Sequence, residues 1–208
     1  MSASAPEIAI KSALEAGLDA LKTDPSVLDD LFASYDPTVL SAVKQFFANN
    51  TVTVRFNWPK PDIKLPAVCI ILTGEQEDVQ NDALGDLMGQ ETDNDAAPTQ
   101  VYDINGLAET ASVNLLVLTG DNELTVYLAH IVKRIVFLAK MALEQSGALI
   151  NMRLSGSDIR MEMDYFPSFV YSRGITVSGL TYFLVKPPTP EWIAKTFNLT
   201  VTAKVTGT

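Results

Sequence analysis

One cysteine and one histidine in 208 residues remove several chemistries at once. Cys69 has no second cysteine for an internal disulfide, and a lone thiol with a lone imidazole cannot supply the ligand set of a structural zinc site. Nucleophilic catalysis built on a serine or cysteine beside a histidine would have to use His130, and no G-x-S-x-G occurs. Ser41-Ala-Val-Lys44 matches S-x-x-K by letters alone, without the companion motifs of the lactamase class. Phosphate cradles are missing too, since neither G-x-G-x-x-G nor G-x-x-x-x-G-K-[ST] is present. The longest apolar run, LPAVCIIL at 65–72, falls far below the roughly 20 residues that span a bilayer. The opening MSASAPEIAIKS has no basic segment followed by an apolar one. The expectation is a chain made and kept in a cytoplasm-like compartment, where the sequons at Asn49 and Asn198 have no use.

The most informative shortage is of positive charge. Fifteen Lys and Arg face 25 Asp and Glu, a formal net charge of −10, and the isoelectric point is near 4.5. From Leu65 to Val132 there is no Lys or Arg at all, while twelve Asp and Glu fall in that stretch. Such a surface repels phosphate backbones and anionic lipid rather than binding them. Eight carboxylates lie in residues 73–95, TGEQEDVQNDALGDLMGQETDND. A calcium loop needs ligands at positions 1, 3, 5 and 12 around a glycine at 6. Starting at Asp78 gives Gln80 and Asp82, then Ala83 and Gly89, and a start at Asp93 fails from the fifth position onward. An irregular divalent site from Glu75, Glu77, Asp78 and Asp82, or a two-carboxylate hydrolase site, ranks below a solvated acidic surface. The segment, through Glu75, Glu77, Asp78, Asp82 and Asp86, is expected to face a partner or line an opening, with no catalytic residue, metal or cofactor assigned.

What is present is clear periodicity. Residues 7–22 repeat Ile8 or Ile10, Ala13 or Leu14, Leu18 and Leu21 near a spacing of 3.6, which predicts an amphipathic helix. DPSVLDDLFASY and DPTVLSAVKQFFANN each open on Asp-Pro, an N-cap before a first-turn proline, and predict two more helices, the second starting at Asp36. TVTVRFNW alternates as a half-buried strand, and PAVCIIL, apolar on both faces, reads as a central one. The acidic segment with Gly74, Gly85, Gly89 and Pro98 predicts a long loop or extended arm, with QVYDI as a short strand. TASVNLLVLT predicts a strand that Gly120 turns into one long helix. Its buried stripe is Leu124, Leu128, Ile131, Ile135, Leu138 and Ala142, with Gly147 at C′ and His130, Lys133, Arg134, Lys140 and Glu144 off the stripe. Ser155-Gly-Ser157 predicts a turn into a strand DIRMEMDYF, followed by a long strand over 169–185 in which Gly174 and Gly179 mark bulges or a bend, and by an edge strand FNLTVTAKV.

The fold class this predicts is α+β: N-terminal helices, then a mainly antiparallel or mixed β-sheet with one long helix packed across it. The expected organisation is a helical segment at 1–50, an α+β core at 51–186 with the acidic loop or arm at about 73–100, and a C-terminal strand or tail at 187–208.

The run from ASYDPTVLSAVKQFF through TVTVRFNWPKPDIKLPAVCIILTGEQED and the GDL at Gly85, and on through ETASVNLLVLTGDNELTVYLAHIVKRIVFLAKMALEQSGALINMRLSGSDIRMEMDYFPSFVYSRGITVSGLTYFLV, resembles the tail terminator and neck proteins of tailed bacteriophages. Its specific parts are an LPAV-x-I strand before an acidic segment, a strand-to-helix unit entered through Gly-Asp, and a closing YFP-x-x-V-x-x-R-x-ITV strand, over about residues 35–186. The resemblance implies a structural virion protein of the head–tail junction and not an enzyme. Such proteins form a ring, typically of six copies, that caps the tail tube, and the last sheath ring in contractile tails, and receives the head connector or stopper. It also implies assembly in the host cytoplasm, no membrane partner, and DNA only as passing cargo, which lumen-facing carboxylates would keep from sticking. The segregation of charge along the chain suits self-assembly. Like-charged segments repel, so they are expected to project away from subunit contacts or to line an opening. Other neck, sheath or baseplate components share this composition. From a different class, a cellular α+β module binding a divalent ion through its carboxylates is the alternative.

Overall fold

The computed structural model describes residues 5–33, 35–77, 86–93, 100–158 and 170–185. Five helices and six strands follow the order α1 (Pro6–Thr23), α2 (Val27–Leu31), α3 (Pro37–Asn49), β1 (Thr53–Phe56), β2 (Ala67–Glu77), β3 (Asp86–Asp93), β4 (Gln100–Thr119), α4 (Asn122–Leu138), α5 (Lys140–Gln145), β5 (Ile150–Asp158) and β6 (Tyr171–Val185). The strands form one mixed sheet in the order β1-β2-β4-β6-β5, with β3 also paired to β4. β1 and β2 run parallel and every other pair is antiparallel. The fold is α+β, with α4 packed across β4 and β6.

The alternation of β4 sorts the sheet into two faces. Ala111, Val113, Leu115 and Val117 meet Val68 and Ile70 of β2, Ile175 and Val177 of β6, and the buried stripes of α1 and α4 in a single apolar cluster that also takes in Phe47 of α3. Of the alternatives on α1, Ile10 and Leu14 are buried and Ile8 is exposed. On the opposite face Cys69, Ile71, Leu116 and Leu118 lie under Ile63 and Leu65, because the 57–66 connection between the parallel strands β1 and β2 crosses that side. Farther along, this face turns polar, where Thr176 Oγ1 donates to Asn114 Oδ1 at 2.5 Å and Thr73 Oγ1 donates to the Ser112 carbonyl at 2.9 Å.

Caps follow their residues. Asp36 accepts from Thr38 N–H at 2.8 Å, and that backbone N–H holds its carboxyl below the ordinary range. Asp121 accepts from Leu124 N–H at 2.8 Å at the start of α4. Behind it Thr119 and Thr125, both buried, stand 2.7 Å apart beside the Asp121 carbonyl, which fixes the β4-to-α4 turn. Gly147, at φ 73°, occupies C′ of α5: its N–H bonds the Glu144 carbonyl and Ala148 N–H bonds that of Leu143, a Schellman closure.

Several expectations are corrected. The predicted single long helix is two, α4 and α5, meeting at Ala139. The buried stripe has already shifted within α4, where Thr125, Val132 and Val136 join it, so Leu138 and Ala142 are exposed and Leu143 of α5 is buried. The predicted helix over 24–35 narrows to the five residues of α2. Ser155, Gly156 and Ser157 form no turn but lie in β5, paired with Thr176, Ile175 and Gly174. QVYDI and the TASVNLLVLT strand are parts of one 20-residue strand, β4, which by strand rise extends roughly 65 Å. Its far end replaces the predicted acidic loop over much of its length, since Thr73–Glu77 belong to β2 and Asp86–Asp93 form β3. The DIRMEMDYF strand beyond Asp158, the FNLTVTAKV strand and the 187–208 tail lie outside the described residues.

Candidate functional site

The acidic segment is largely strand. After a bulge between Leu72 and Gly74, Glu75 pairs with Ala111 and is exposed, and Glu77 pairs with Glu109. Carboxylate positions directly opposite one another on an antiparallel pair destabilise the sheet. Asp86 opens β3 opposite Gly106, and β3 runs antiparallel to β4 as far as Asp93 opposite Gln100. Asp78 and Asp82 lie outside the described residues. The described parts of the segment, with the first half of β4, form a β arm that bears Glu75, Glu77, Asp86, Glu91, Asp93, Asp103 and Glu109 and no cation. Among the described residues no group of three or more His, Cys, Asp or Glu is placed to hold a metal ion, and no helix is long and apolar enough to cross a membrane.

The letters that suggested nucleophiles are placed apart. Ser41 is exposed on α3, and Lys44 Nζ is 2.5 Å from Asp29 Oδ2 of α2. Cys69 lies in β2 with 1% of its surface exposed, and burial pushes its thiol up to about 11. Native protein at pH 8 should therefore resist iodoacetamide at Cys69 and react once denatured, because the thiolate is the nucleophile. Full labelling of the native chain within minutes would contradict this placement.

Residues of the opposite sign gather near the start of β6, whose other end meets the arm. His130, Lys133 and Arg134 follow at i, i+3 and i+4 on α4, so they share a helix face, and Lys140 continues it on α5. Two cavities of about 310 and 450 Å³ share His130 and Lys133 as lining and form one cleft between α4 and the β5–β6 side of the sheet. The first is completed by Arg173 and Gly156, the second by Arg134, Phe137, Lys140 and Leu154. No Asp or Glu is among the described lining residues. Among the described residues Gly156 leaves the floor bare, with only the Gly174 carbonyl, at 3.7 Å, near the position of an added Cβ.

The walls are held by aromatic contacts. The Arg134 guanidinium lies 4.2 Å from the Phe32 ring centroid, and Tyr35 meets His130 edge-on at 6.5 Å. Partial burial, with the positive charges of Arg173, Lys133 and Arg134, keeps the His130 imidazole below its ordinary pKa. Lys133 and Arg134 keep this face of α4 positive, while Lys140 lies 3.7 Å from Glu144 Oε1 and Asp158 pairs in register with Arg173. At its end, around Ala139, Phe137, Leu138 and Met141 are exposed, at 63%, 63% and 70%, beside Lys140. Three large apolar side chains this close together make a patch of the kind that marks an interaction site.

The cleft went unread in the sequence because its cations come from three elements, α4, α5 and β6. The available signal was the His130, Lys133 and Arg134 spacing, immediately after the cation-free stretch ends. No family model matches the chain, and no curated protein matches it either.

Proposed function

We propose that the chain is a structural virion protein, a tail terminator whose copies form a ring that caps the tail tube, with the sheath in contractile tails, and offers a surface to the head connector. The observation that supports this reading most is the separation of charge between an acidic β arm and a basic, partly apolar cleft on one subunit. Closed rings need two different, mutually complementary surfaces on each copy. The exposed Phe137, Leu138 and Met141 add the apolar area that stable contacts require. The resemblance over residues 35–186 supplies the specific place, the head–tail junction, and with it DNA as passing cargo and no catalytic role.

Mass measurement of the full chain in solution, with imaging of any rings, tests the assembly, and electron microscopy of intact particles tests the place. Rings, and density for this chain between tail tube and head connector, are expected. A monomer at the highest soluble concentration removes the ring. Location elsewhere in the particle favours a sheath or baseplate component, and heat on titration with Ca²⁺ or Mg²⁺ favours the ion-binding module.

A further inference from the structure

The geometry points to the occupant of the cleft: the acidic β arm of a second copy of this chain. This deepens the ring reading and rests on it. Two observations connect the arm with the cleft. The arm has carboxylates and no Lys or Arg, whereas the described cleft lining has His130, Lys133 and Arg134 on one helix face and no Asp or Glu, with Lys140 held 3.7 Å from Glu144 Oε1 at its end. β3 has β4 as its main neighbour in its own subunit, so the arm is held by strand pairing rather than by a helical layer.

Two copies could exchange arms reciprocally about a two-fold axis, but the ring reading selects a head-to-tail contact, in which each copy gives its arm to one neighbour and takes the arm of the other, and which closes into a ring when its rotation permits. The opposition of Glu77 and Glu109 costs the isolated subunit stability. A cation from a neighbour would offset that repulsion, which gives these carboxylates a role within the assembly. Acidic segments that meet each other repel, whereas an acidic strand that meets a basic cleft does not.

Charge-reversed full-length chains test the docking. Lys133→Glu with Lys140→Glu on the cleft, and Glu75→Lys with Asp86→Lys on the arm, are surface changes expected to leave thermal unfolding within a few degrees of wild type. Each pair should weaken association at least about tenfold in light scattering, since close charge pairs across interfaces couple at this scale or more. An equimolar mixture of the two variants should recover association in alternating assemblies, because the intact arm of one meets the intact cleft of the other and the reversed arm meets the reversed cleft with opposite sign. Gly156→Leu, which has room at its Cβ, should block the cleft without changing its charge and give the same loss. Wild-type rings together with unweakened rings in every variant would overturn the docking and leave the ring reading standing, whereas a monomeric wild type would overturn both. Loss of affinity for a short DNA duplex in the cleft variant, with assembly unchanged, would also overturn the docking and mark a phosphate site instead.

Discussion

Gly179→Val should cost about 3 kcal/mol of stability, the upper end of what inserted bulk costs in a packed interior. The residue lies mid-strand in β6, facing the point where β5 changes register between Ile150 and Arg153. There β5 places one more residue against β6 than the ladder needs, and Asn151 takes up the excess at φ 54°. The bulge draws the β5 backbone inward. A Cβ on residue 179 would lie 2.8 Å from the Ile150 carbonyl oxygen and 3.2 Å from Leu149 Cδ2. A side chain could turn away from such a contact, but a carbonyl fixed in the sheet moves only if β5 moves. The expected signature is local: amides of β5 should exchange hydrogen faster in Gly179→Val while those of β2 and the paired half of β4 stay protected. Gly74→Ala is the control, since no heavy atom of the described residues lies within 4 Å of a Cβ there, and it should stay within about 0.5 kcal/mol of wild type. Equal stability of the two variants in chemical denaturation would refute the close approach.

Gly179 also illustrates which features the sequence exposes and which it hides. A glycine inside an otherwise β-branched strand announces a bulge or a close approach, and Gly179 is at one. The same reading named Gly174, which the structure places at the cleft rather than at a register change. Period 3.6 located α1 and most of α4 because their stripes face a single core, but it continued through Ala139, where no proline or glycine marks the break. Asp, Asn and Gly disfavour strands, so DLMGQETD read as loop. Pairing with β4 outweighs that local preference, since strand propensity reflects neighbours more than backbone. Glu75, Glu77 and Asp86 could be placed in an acidic segment from sequence, whereas their strand register could not. The cleft needed the fold itself, because Arg173 and the α4 cations lie some 40 residues apart in the chain and meet only when β6 pairs beside β4.

The layer that carries the cleft depends on a second glycine. Gly17 is in the interior of α1, where it costs about 1 kcal/mol relative to alanine. The position tolerates that cost because α1 and α4 cross closely here: a Cβ would be 2.5 Å from Ile135 Cγ2 and 3.1 Å from its Cγ1. Ile135 is buried against the sheet and its branched side chain has one favoured rotamer in a helix, so it cannot swing aside. Gly17→Val should destabilise by about 2–3 kcal/mol, and Gly17→Ala by less, because improved helix propensity offsets part of the clash. Ile135→Ala alone should cost about 2–4 kcal/mol for its lost contacts and cavity. In the Gly17→Val background that second change relieves the overlap while the valine fills part of the void. The double variant should therefore be more stable than the sum of the two losses by about 1–2 kcal/mol, a coupling typical of residues in contact. Additive losses in urea unfolding would mean that the helices do not meet at Gly17. Because α4 bears His130, Lys133 and Arg134, separating it from α1 should also widen the cleft. Gly17→Val should then lose assembly before it loses fold, with Ile135→Ala restoring both together.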